Sequence, residues 1–317
     1  MTMTAACRRK SARNEEFMYL HQDGEAMMPQ SRLRMLVAAL LVAVPALAGA
    51  ASRDCVVIAH RGASGYLPEH TLPAYRLAIQ LGADYVEPDL VMTRDGVLVA
   101  RHERQLGAST NVGALPQFAA RRTVKTVAGT EVTDWFVEDF TLAELRLLRA
   151  RETRPKIRKG NSAFDDQFPV PTLAEIIGLL RDEGARAGRP IGLYPELKEP
   201  SVFRTRGHDP EGALLRALAA GGLGGDDAPV FIQSFDGDSL KRLRPRTGLP
   251  LVQLLEGTNP KDEPAPPPDY AAIAAYAQGI GAPKALIVGD ATMMPAARKA
   301  GLFVHGWTFR AENEYLA

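Results

Sequence analysis

The sequence has little cysteine: Cys7 and Cys55 are the two cysteines among its 317 residues. Because Cys7 lies in a segment that we expect to be removed on export, Cys55 would be alone in the mature chain. No internal disulfide is therefore expected there, even in an oxidising compartment. Cys55 opens an apolar run, so we interpret it as a small core residue rather than a nucleophile.

An excess of charge of either sign is also lacking. Lys and Arg total 38 against 37 for Asp and Glu, which leaves a net charge of +1. A protein that binds nucleic acid needs a strongly basic surface, so the composition predicts no nucleic-acid partner and favours a small molecule instead. Hydrophobic residues make up 46% of the chain, which excludes a disordered protein and supplies a core.

The apolar runs are too short for a membrane span. The longest, residues 35–47, is interrupted by Pro45 and falls below the roughly 20 residues that a membrane-spanning helix requires. Two arginines precede it and small residues ending at Ala50 follow it, which is the pattern of a secretory signal. We therefore interpret residues 1–50 as a leader and signal peptide cleaved near Ala50. The expected product is exported, periplasmic or secreted, with no stable membrane anchor.

After residue 50, short apolar runs alternate with helical patterns, as in "CVVIAH", "TLPAYRLAIQLG" and "DYVEPDLVMT". This alternation indicates a parallel sheet. Since no glycine-rich dinucleotide fingerprint is present, the pattern favours a TIM-type (β/α)₈ barrel over residues 51–317. Residues from about 103 to 170 break the rhythm, and we interpret them as an insertion after the third strand.

Carboxylates occupy the ends of two predicted strands. Glu87 and Asp89 are two residues apart, so an extended strand points them to the same face, and Glu196 ends a later strand. Any one of them alone is more often a solvated strand-end carboxylate. Three together repel one another unless a cation lies between them, and an all-oxygen set suits Mg²⁺ or Ca²⁺ better than zinc.

Two histidines and two cations complete the predicted set of strand-end residues. His60 and His102 titrate near neutrality, so one could act as a base while the other acts as an acid. Arg61 and Lys198 carry permanent charge that could hold a phosphoryl group. For these two, salt bridges with the carboxylates are an equally good interpretation.

Five segments, "AHRGASGYLPEHTLPAY", "GADYVEPDLVMTRDGVLVARHE", "YPELK", "FIQSFD" and "VHGWTFRAENEYL", follow one another in the sequence. Together they resemble the exported bacterial glycerophosphodiester phosphodiesterases, a branch of the phospholipase-C-like phosphodiesterase barrels. The resemblance runs from about residue 56 to the C-terminus. It implies a barrel with one bound divalent cation, Ca²⁺ or Mg²⁺. The implied reaction is hydrolysis of glycerophosphodiesters, such as glycerophosphocholine and glycerophosphoethanolamine, to sn-glycerol 3-phosphate and an alcohol.

The resemblance also implies roles for individual residues. By this resemblance, His60 and His102 match the acid/base pair, and Glu87, Asp89 and Glu196 match the metal ligands. Arg61 and Lys198 match the phosphate contacts, and Gln233 matches a substrate contact. Glu69 matches a polar position beside the metal, and Trp307 matches an apolar wall for the glycerol.

The chain departs from the family pattern at its end. Family members continue into a closing βα unit beyond the segment that contains Trp307, whereas this sequence stops at Ala317, so we expect that unit to be missing. Two alternatives therefore stand beside the hydrolase. One is a catalytically impaired, truncated homologue or binding protein. The other is a phospholipase-like lyase of the same fold that stops at a cyclic phosphate.

Overall fold

The computed structural model describes residues 3–4, 55–257, 267–310 and 312. The predicted signal peptide and its cleavage site lie outside these residues. Within them, no helix is both long and apolar enough to cross a membrane. In the full chain Cys55 takes part in a disulfide. That it lacks an internal partner in the mature chain stays a prediction, because it depends on removal of Cys7 with the leader. The described residues other than Cys55 belong to one compact unit, to which the description below refers.

The strands in the described part of the chain form two larger sheets and a separate hairpin. They are β1 (Met3–Thr4), β2 (Ile58–His60), β3 (Tyr85–Glu87), β4 (Asp89–Met92), β5 (Leu98–Ala100), β6 (Thr123–Val127), β7 (Thr130–Asp134), β8 (Gly192–Leu193), β9 (Glu196–Leu197), β10 (Ile232–Ser234), β11 (Leu251–Leu254), β12 (Gly279–Pro283) and β13 (Phe303–Trp307). The sheet orders are β1-β2-β3-β8 and β13-β12-β11-β10-β9-β4-β5, and β6 pairs with β7.

The two sheets are parallel over most of their strands. β2, β3 and β8 pair in parallel, and so do β4, β9, β10, β11, β12 and β13. The break between β3 and β4 falls at Pro88, whose missing N–H interrupts the ladder. The expected α/β class with a parallel sheet is confirmed. Among the described strands, no pairing of β2 with β13 closes the sheets into a ring.

The strand predicted as the third parallel strand is the return arm of a hairpin. β5 pairs with β4 antiparallel, with Leu90 opposite Ala100 and Met92 opposite Leu98, so the predicted orientation was wrong. The turn between the two strands is short and contains Gly96 at a φ of +81°, and short turns of this kind join antiparallel neighbours. The irregular segment from about 103 to 170 therefore lies between the second and third parallel strands rather than after the third.

Helices follow the parallel strands and cover the sheet. They are α1 (Leu72–Gln80), α2 (Leu142–Leu145), α3 (Leu173–Ala187), α4 (Pro200–Arg204), α5 (Pro210–Ala220), α6 (Gly237–Leu243), α7 (Tyr270–Ala274), α8 (Lys284–Gly289) and α9 (Met293–Lys299). Thr71 caps α1 by accepting from the Ala74 amide, as its position in the sequence predicts. Thr172 and Glu175 form the predicted capping box at α3.

The segment between β5 and α3 is folded against the main core. Phe118 and Phe140 pack edge to face, with ring centroids 5.1 Å apart, and both side chains are buried. Its β6–β7 hairpin turns at Ala128 and Gly129, which both have positive φ. Through Val127 and Ala128, the tip of this hairpin reaches the cavity described next.

Candidate active site

Polar strand ends surround a cavity of about 760 Å³. His60 ends β2, Glu87 ends β3, Ser234 ends β10 and Trp307 ends β13, and all four line it. In parallel α/β proteins this edge of the sheet carries the catalytic groups, because every strand delivers its last side chain to the same side. The cavity is therefore the candidate active site.

Three buried carboxylates lie together beside this cavity, and two of them line it. One oxygen atom from each of Glu87, Asp89 and Glu196 lies within 4.8 Å of the corresponding atoms of the other two. Asp89 and Glu196 are register partners on β4 and β9, and Glu87 ends β3 one residue before the Pro88 break. The structure thus brings together the three residues that the sequence singled out as a group.

Burial and mutual repulsion shift the pKa values of this acidic triad. Burial raises the pKa of Glu87 well above its usual range, and the nearby charge of Asp89 raises it further. Burial likewise raises the pKa of Glu196 to about 8. Burial alone would also raise the pKa of Asp89, but His70 and Arg61 hold it well below its usual value. A cation placed between these groups would remove the repulsion.

The donor set fits a hard divalent cation. Asp89 Oδ2 lies 3.0 Å from His70 Nε2 and 3.3 Å from Arg61 Nε. Asp89 Oδ1 is buried and has no hydrogen-bond partner among the described residues. A buried carboxylate oxygen without a partner is costly unless something else binds it. Oxygen ligands alone, without cysteine or histidine, match Ca²⁺ or Mg²⁺ rather than zinc.

Gln233 and Lys198 each contact one carboxylate of the triad. Gln233 is buried, and its Nε2 donates to Glu87 Oε1 at 2.7 Å. Lys198 Nζ lies 2.9 Å from Glu196 Oε1 and 3.4 Å from His102 Nε2, at the wall of the cavity. Gln233 therefore orients the Glu87 carboxylate. Lys198 forms a salt bridge with Glu196 and also lines the cavity.

Arg61 is held between two carboxylates. Its Nη1 lies 3.2 Å from both oxygens of Glu69, and its Nε lies near Asp89. Burial would raise the pKa of Glu69, but the charge of Arg61 holds it well below its usual range. Arg61 has a φ of +61°, an uncommon backbone conformation for this residue type that is often found at functional sites. Its guanidinium lines the cavity next to His60.

The two histidines lie in different surroundings. His60 is buried, its Nε2 faces Arg61 Nε at 3.3 Å, and burial together with that positive charge lowers its pKa well below the usual value. His102 is partly exposed, and its Nδ1 lies 2.5 Å from Glu103 Oε1. The antiparallel return of β5 explains how His102 reaches the site, because the Arg101 amide bonds to the Asp89 carbonyl next to the acidic triad.

Several residues at the site were not predicted from the sequence. His70, which binds Asp89, also places its Nδ1 2.8 Å from the Tyr75 hydroxyl. Phe235 lines the cavity with its ring centroid 6.0 Å from that of Trp307, whose Nε1 is buried without a partner among the described residues. Glu103 was also missed. His70 directly follows Glu69 and Glu103 directly follows His102, so their position next to a predicted site residue was the sign that could have found them.

Comparisons with known proteins identify the family of the chain. The model of the glycerophosphoryl diester phosphodiesterase family matches residues 60–316. A glycerophosphodiester phosphodiesterase from Arabidopsis thaliana is 33% identical over 288 residues, which cover 82% of this chain and 75% of that protein. One from Haemophilus influenzae is 34% identical over 66% of this chain and 59% of that protein.

Solved structures show the same fold. A putative glycerophosphoryl diester phosphodiesterase from Silicibacter pomeroyi superposes with a TM-score of 0.61 at 25% identity, covering 80% of this chain and 82% of that one. A phosphodiesterase from Oleispira antarctica, solved in complex with the product sn-glycerol-3-phosphate, has a TM-score of 0.57 at 24% identity, covering 80% and 84%.

Proposed function

Because the chain belongs to the glycerophosphoryl diester phosphodiesterase family, we propose that it hydrolyses glycerophosphodiesters to sn-glycerol 3-phosphate and an alcohol, using one divalent cation. The observation that carries the proposal is the acidic triad, two of whose members, Glu87 and Glu196, line a cavity that is also lined by two histidines, by Arg61 and Arg310 and by a lysine. These groups can neutralise a phosphodiester and move protons at the same place.

The proposal includes the architecture. We take the two sheets as arcs of one TIM-type barrel, because the parallel strands follow one another in chain order from β2 through β3–β4 and β8–β9 to β13. The likeness to the Silicibacter pomeroyi structure supports this assignment. The segment from about 103 to 170 is then an insertion after the β4–β5 hairpin.

Glu87, Asp89 and Glu196 would hold the cation, and the partnerless Asp89 Oδ1 supports this assignment. When bound, Ca²⁺ or Mg²⁺ would offset the negative charge of the substrate and make a nearby hydroxyl more acidic. Gln233 keeps Glu87 oriented through its 2.7 Å hydrogen bond. Glu69 supports the site from behind Arg61 rather than as a ligand.

The remaining residues bind the substrate and transfer protons. Arg61 and Lys198 face the cavity and would contact the phosphoryl oxygens. One histidine would accept the proton of the attacking glycerol 2-hydroxyl while the other protonates the departing alcohol, and water would then open the cyclic phosphate. Trp307 and Phe235 would form the apolar wall against the glycerol carbons. Together these groups position the substrate for in-line attack.

We also propose that the protein acts outside the cytoplasm. This rests on the charged and apolar pattern of residues 1–50, which resembles a cleavable export signal. Expression of the full chain followed by N-terminal sequencing of the exported product tests it. The expected new N-terminus lies next to Ala50, and a full-length product that remains in the cytoplasm would contradict the proposal.

An assay of the purified protein tests the proposed reaction. Glycerophosphocholine and glycerophosphoethanolamine are incubated with the protein after exhaustive EDTA treatment, and again after addition of Ca²⁺ or Mg²⁺, while sn-glycerol 3-phosphate is measured. We expect product only when a cation is restored. A cyclic phosphate as the end product would identify a lyase, and binding without turnover would identify a binding protein.

A further inference from the structure

His60 and His102 differ in the charge of the groups that they face. His60 Nε2 lies against the Arg61 guanidinium, a cation. His102 lies between Glu103, an anion 2.5 Å from its Nδ1, and Lys198, whose Nζ is 3.4 Å from its Nε2. The Arg61 charge therefore repels a protonated His60 ring, whereas the Glu103 carboxylate attracts a protonated His102 ring.

The partners of His102 determine which ring nitrogen carries the proton. The Lys198 ammonium can only donate a hydrogen bond, so the facing Nε2 must accept. The Glu103 carboxylate can only accept, so Nδ1 must carry the hydrogen. The bond to Glu103 fixes the ring so that Nε2 faces Lys198 and the cavity. Nε2 carries a proton for the substrate once the Lys198 ammonium contacts the phosphoryl group instead of donating to Nε2. Glu103 then balances the positive charge of the ring.

From this asymmetry we propose that Glu103 is a positioning residue that makes His102 the general acid for the departing alcohol and leaves the base role to His60. The inference rests on the proposed phosphodiesterase function. In the first step His60 takes the proton of the glycerol 2-hydroxyl as its oxygen bonds to phosphorus. The bond from phosphorus to the alcohol oxygen breaks, and that oxygen receives the proton of His102 Nε2.

The second step returns both histidines to their starting states. A water oxygen bonds to the phosphorus of the cyclic phosphate while His102 Nε2 takes a proton from that water. The bond from phosphorus to the glycerol 2-oxygen breaks, and this oxygen receives the proton held by His60. The sum of both steps is one water consumed, one alcohol released and one sn-glycerol 3-phosphate formed.

Glu103 is placed to act on His102 rather than to hold the fold together. Its side chain is about half exposed, at 50%. Among the described contacts its hydrogen-bond partner is His102, its neighbour in the chain, so the contact joins no two distant elements. Outer-shell residues that orient metal-bound imidazoles are typically worth about 10- to 100-fold in activity, and we expect an effect of similar size from Glu103. Glu131, an exposed carboxylate on β7 with no ion pair among the described residues, offers a matched control.

The test compares leaving groups. Glycerophosphoethanolamine has a poor leaving alcohol that needs a proton, whereas the 4-nitrophenyl diester of glycerol phosphate has a good one that does not. We expect Glu103→Gln to lower kcat for glycerophosphoethanolamine about 10- to 100-fold with KM nearly unchanged. The same variant should turn over the nitrophenyl ester at close to the wild-type rate. Glu103→Asp, which keeps the charge, should recover part of the loss, and Glu131→Gln should match the wild type with both substrates.

Each other outcome has a definite meaning. An equal loss with both diesters would overturn the proposal, because a general acid acts selectively on poor leaving groups. A rise in KM confined to glycerophosphoethanolamine would also overturn it, since Glu103 would then contact the cationic alcohol directly. Full activity of Glu103→Gln beside an active wild type would overturn this inference alone. A wild-type chain inactive on both diesters with added Ca²⁺ or Mg²⁺ would overturn the proposed function as well.

Discussion

The two ends of the parallel strands carry opposite chemistry. At the carboxyl ends, the 760 Å³ cavity is lined with buried or partly buried charged groups. At the amino ends, just before β8 and β10, a groove of about 520 Å³ has a mostly apolar lining that includes Ile177, Leu180, Ile191 and Pro229. Buried charges reduce stability unless they are paired, whereas apolar packing increases it. The charged carboxyl ends therefore tend to reduce the stability of the fold, whereas the apolar amino ends increase it.

An aromatic layer lies between the two ends. Tyr194 and Phe303 pack around Phe231, with ring centroids 5.8 and 5.5 Å from it. His305 joins this layer, with its Nδ1 3.0 Å from the Tyr194 hydroxyl, and burial lowers the pKa of His305 to about 4. A histidine kept neutral in this way behaves as part of the core.

The largest effect should come from the acidic triad. We expect Glu196→Gln to reduce turnover of glycerophosphoethanolamine to the assay background, because the site loses an anionic ligand for the cation. Measured without a cation, the same variant should unfold at nearly the wild-type temperature, because loss of the Lys198 salt bridge offsets the relief of burial and of repulsion from Asp89. Substantial turnover by this variant beside an active wild type would place the cation elsewhere.

Removal of His102 should have the next largest effect. His102→Ala is expected to lower kcat by about 10²- to 10⁴-fold, the usual contribution of a general acid or base. Its melting temperature should stay near that of the wild type, because the side chain is partly exposed and leaves no cavity in the core. Steady-state kinetics measures the loss of kcat, and circular dichroism measures the melting temperature. A variant with the wild-type kcat would exclude an acid/base role for His102.

At the amino end the expected effects are reversed. Ile177→Ala removes a side chain that is 5% exposed and should lower the free energy of unfolding by about 2 to 5 kcal/mol. The kcat per folded molecule should not change, because Ile177 lies outside the catalytic cavity. Urea denaturation combined with an assay at low temperature tests this. A loss of kcat without a loss of stability would break the contrast between the two ends.

The smallest expected effect is a pH dependence of the cation-free protein. The pKa of Glu196 is about 8 in the folded state and near 4.5 when unfolded, so the folded chain binds more protons between these values. Stability from this group is present at low pH and lost as pH rises toward 8. Above pH 6.5 His60, His70 and His305 no longer oppose this trend, because their folded pKa values are lowered.

The free energy of unfolding should therefore fall by up to about 2 kcal/mol between pH 6.5 and 8 without a cation. Added Ca²⁺ or Mg²⁺ should flatten the curve, because the bound ion holds the carboxylates ionised throughout. Chemical denaturation at several pH values measures both curves. A slope of the opposite sign in the cation-free protein would mean that the fold stabilises the Glu196 carboxylate, for example through its salt bridge with Lys198.

The acidic triad could be predicted because it depends on short-range geometry. A strand points alternate residues to one face, so the spacing of Glu87 and Asp89 already placed them together, and parallel strands align Glu196 with them. The pairing partner of a strand is a long-range property, which explains why β5 was taken for a parallel strand. The short turn at Gly96 was the available sign of a hairpin.

The direction and partners of single side chains were harder to predict. Gln233 ends up on Glu87, and His70 on Asp89, through contacts that join residues 146 and 19 positions apart. No pattern in the sequence specifies such pairs, because they depend on how the sheets are assembled. The placement of Lys198 beside His102 likewise joins distant residues, and the separate motifs do not reveal it.

The central claim is that one divalent cation held by Glu87, Asp89 and Glu196 makes phosphodiester hydrolysis possible. The most direct test titrates the metal-free protein with Ca²⁺ or Mg²⁺ while bound ion and release of sn-glycerol 3-phosphate are measured in the same samples. We predict one ion bound per chain at saturation, turnover that rises in proportion to occupancy, and loss of both in Glu196→Gln. Full turnover with no ion bound would contradict the claim.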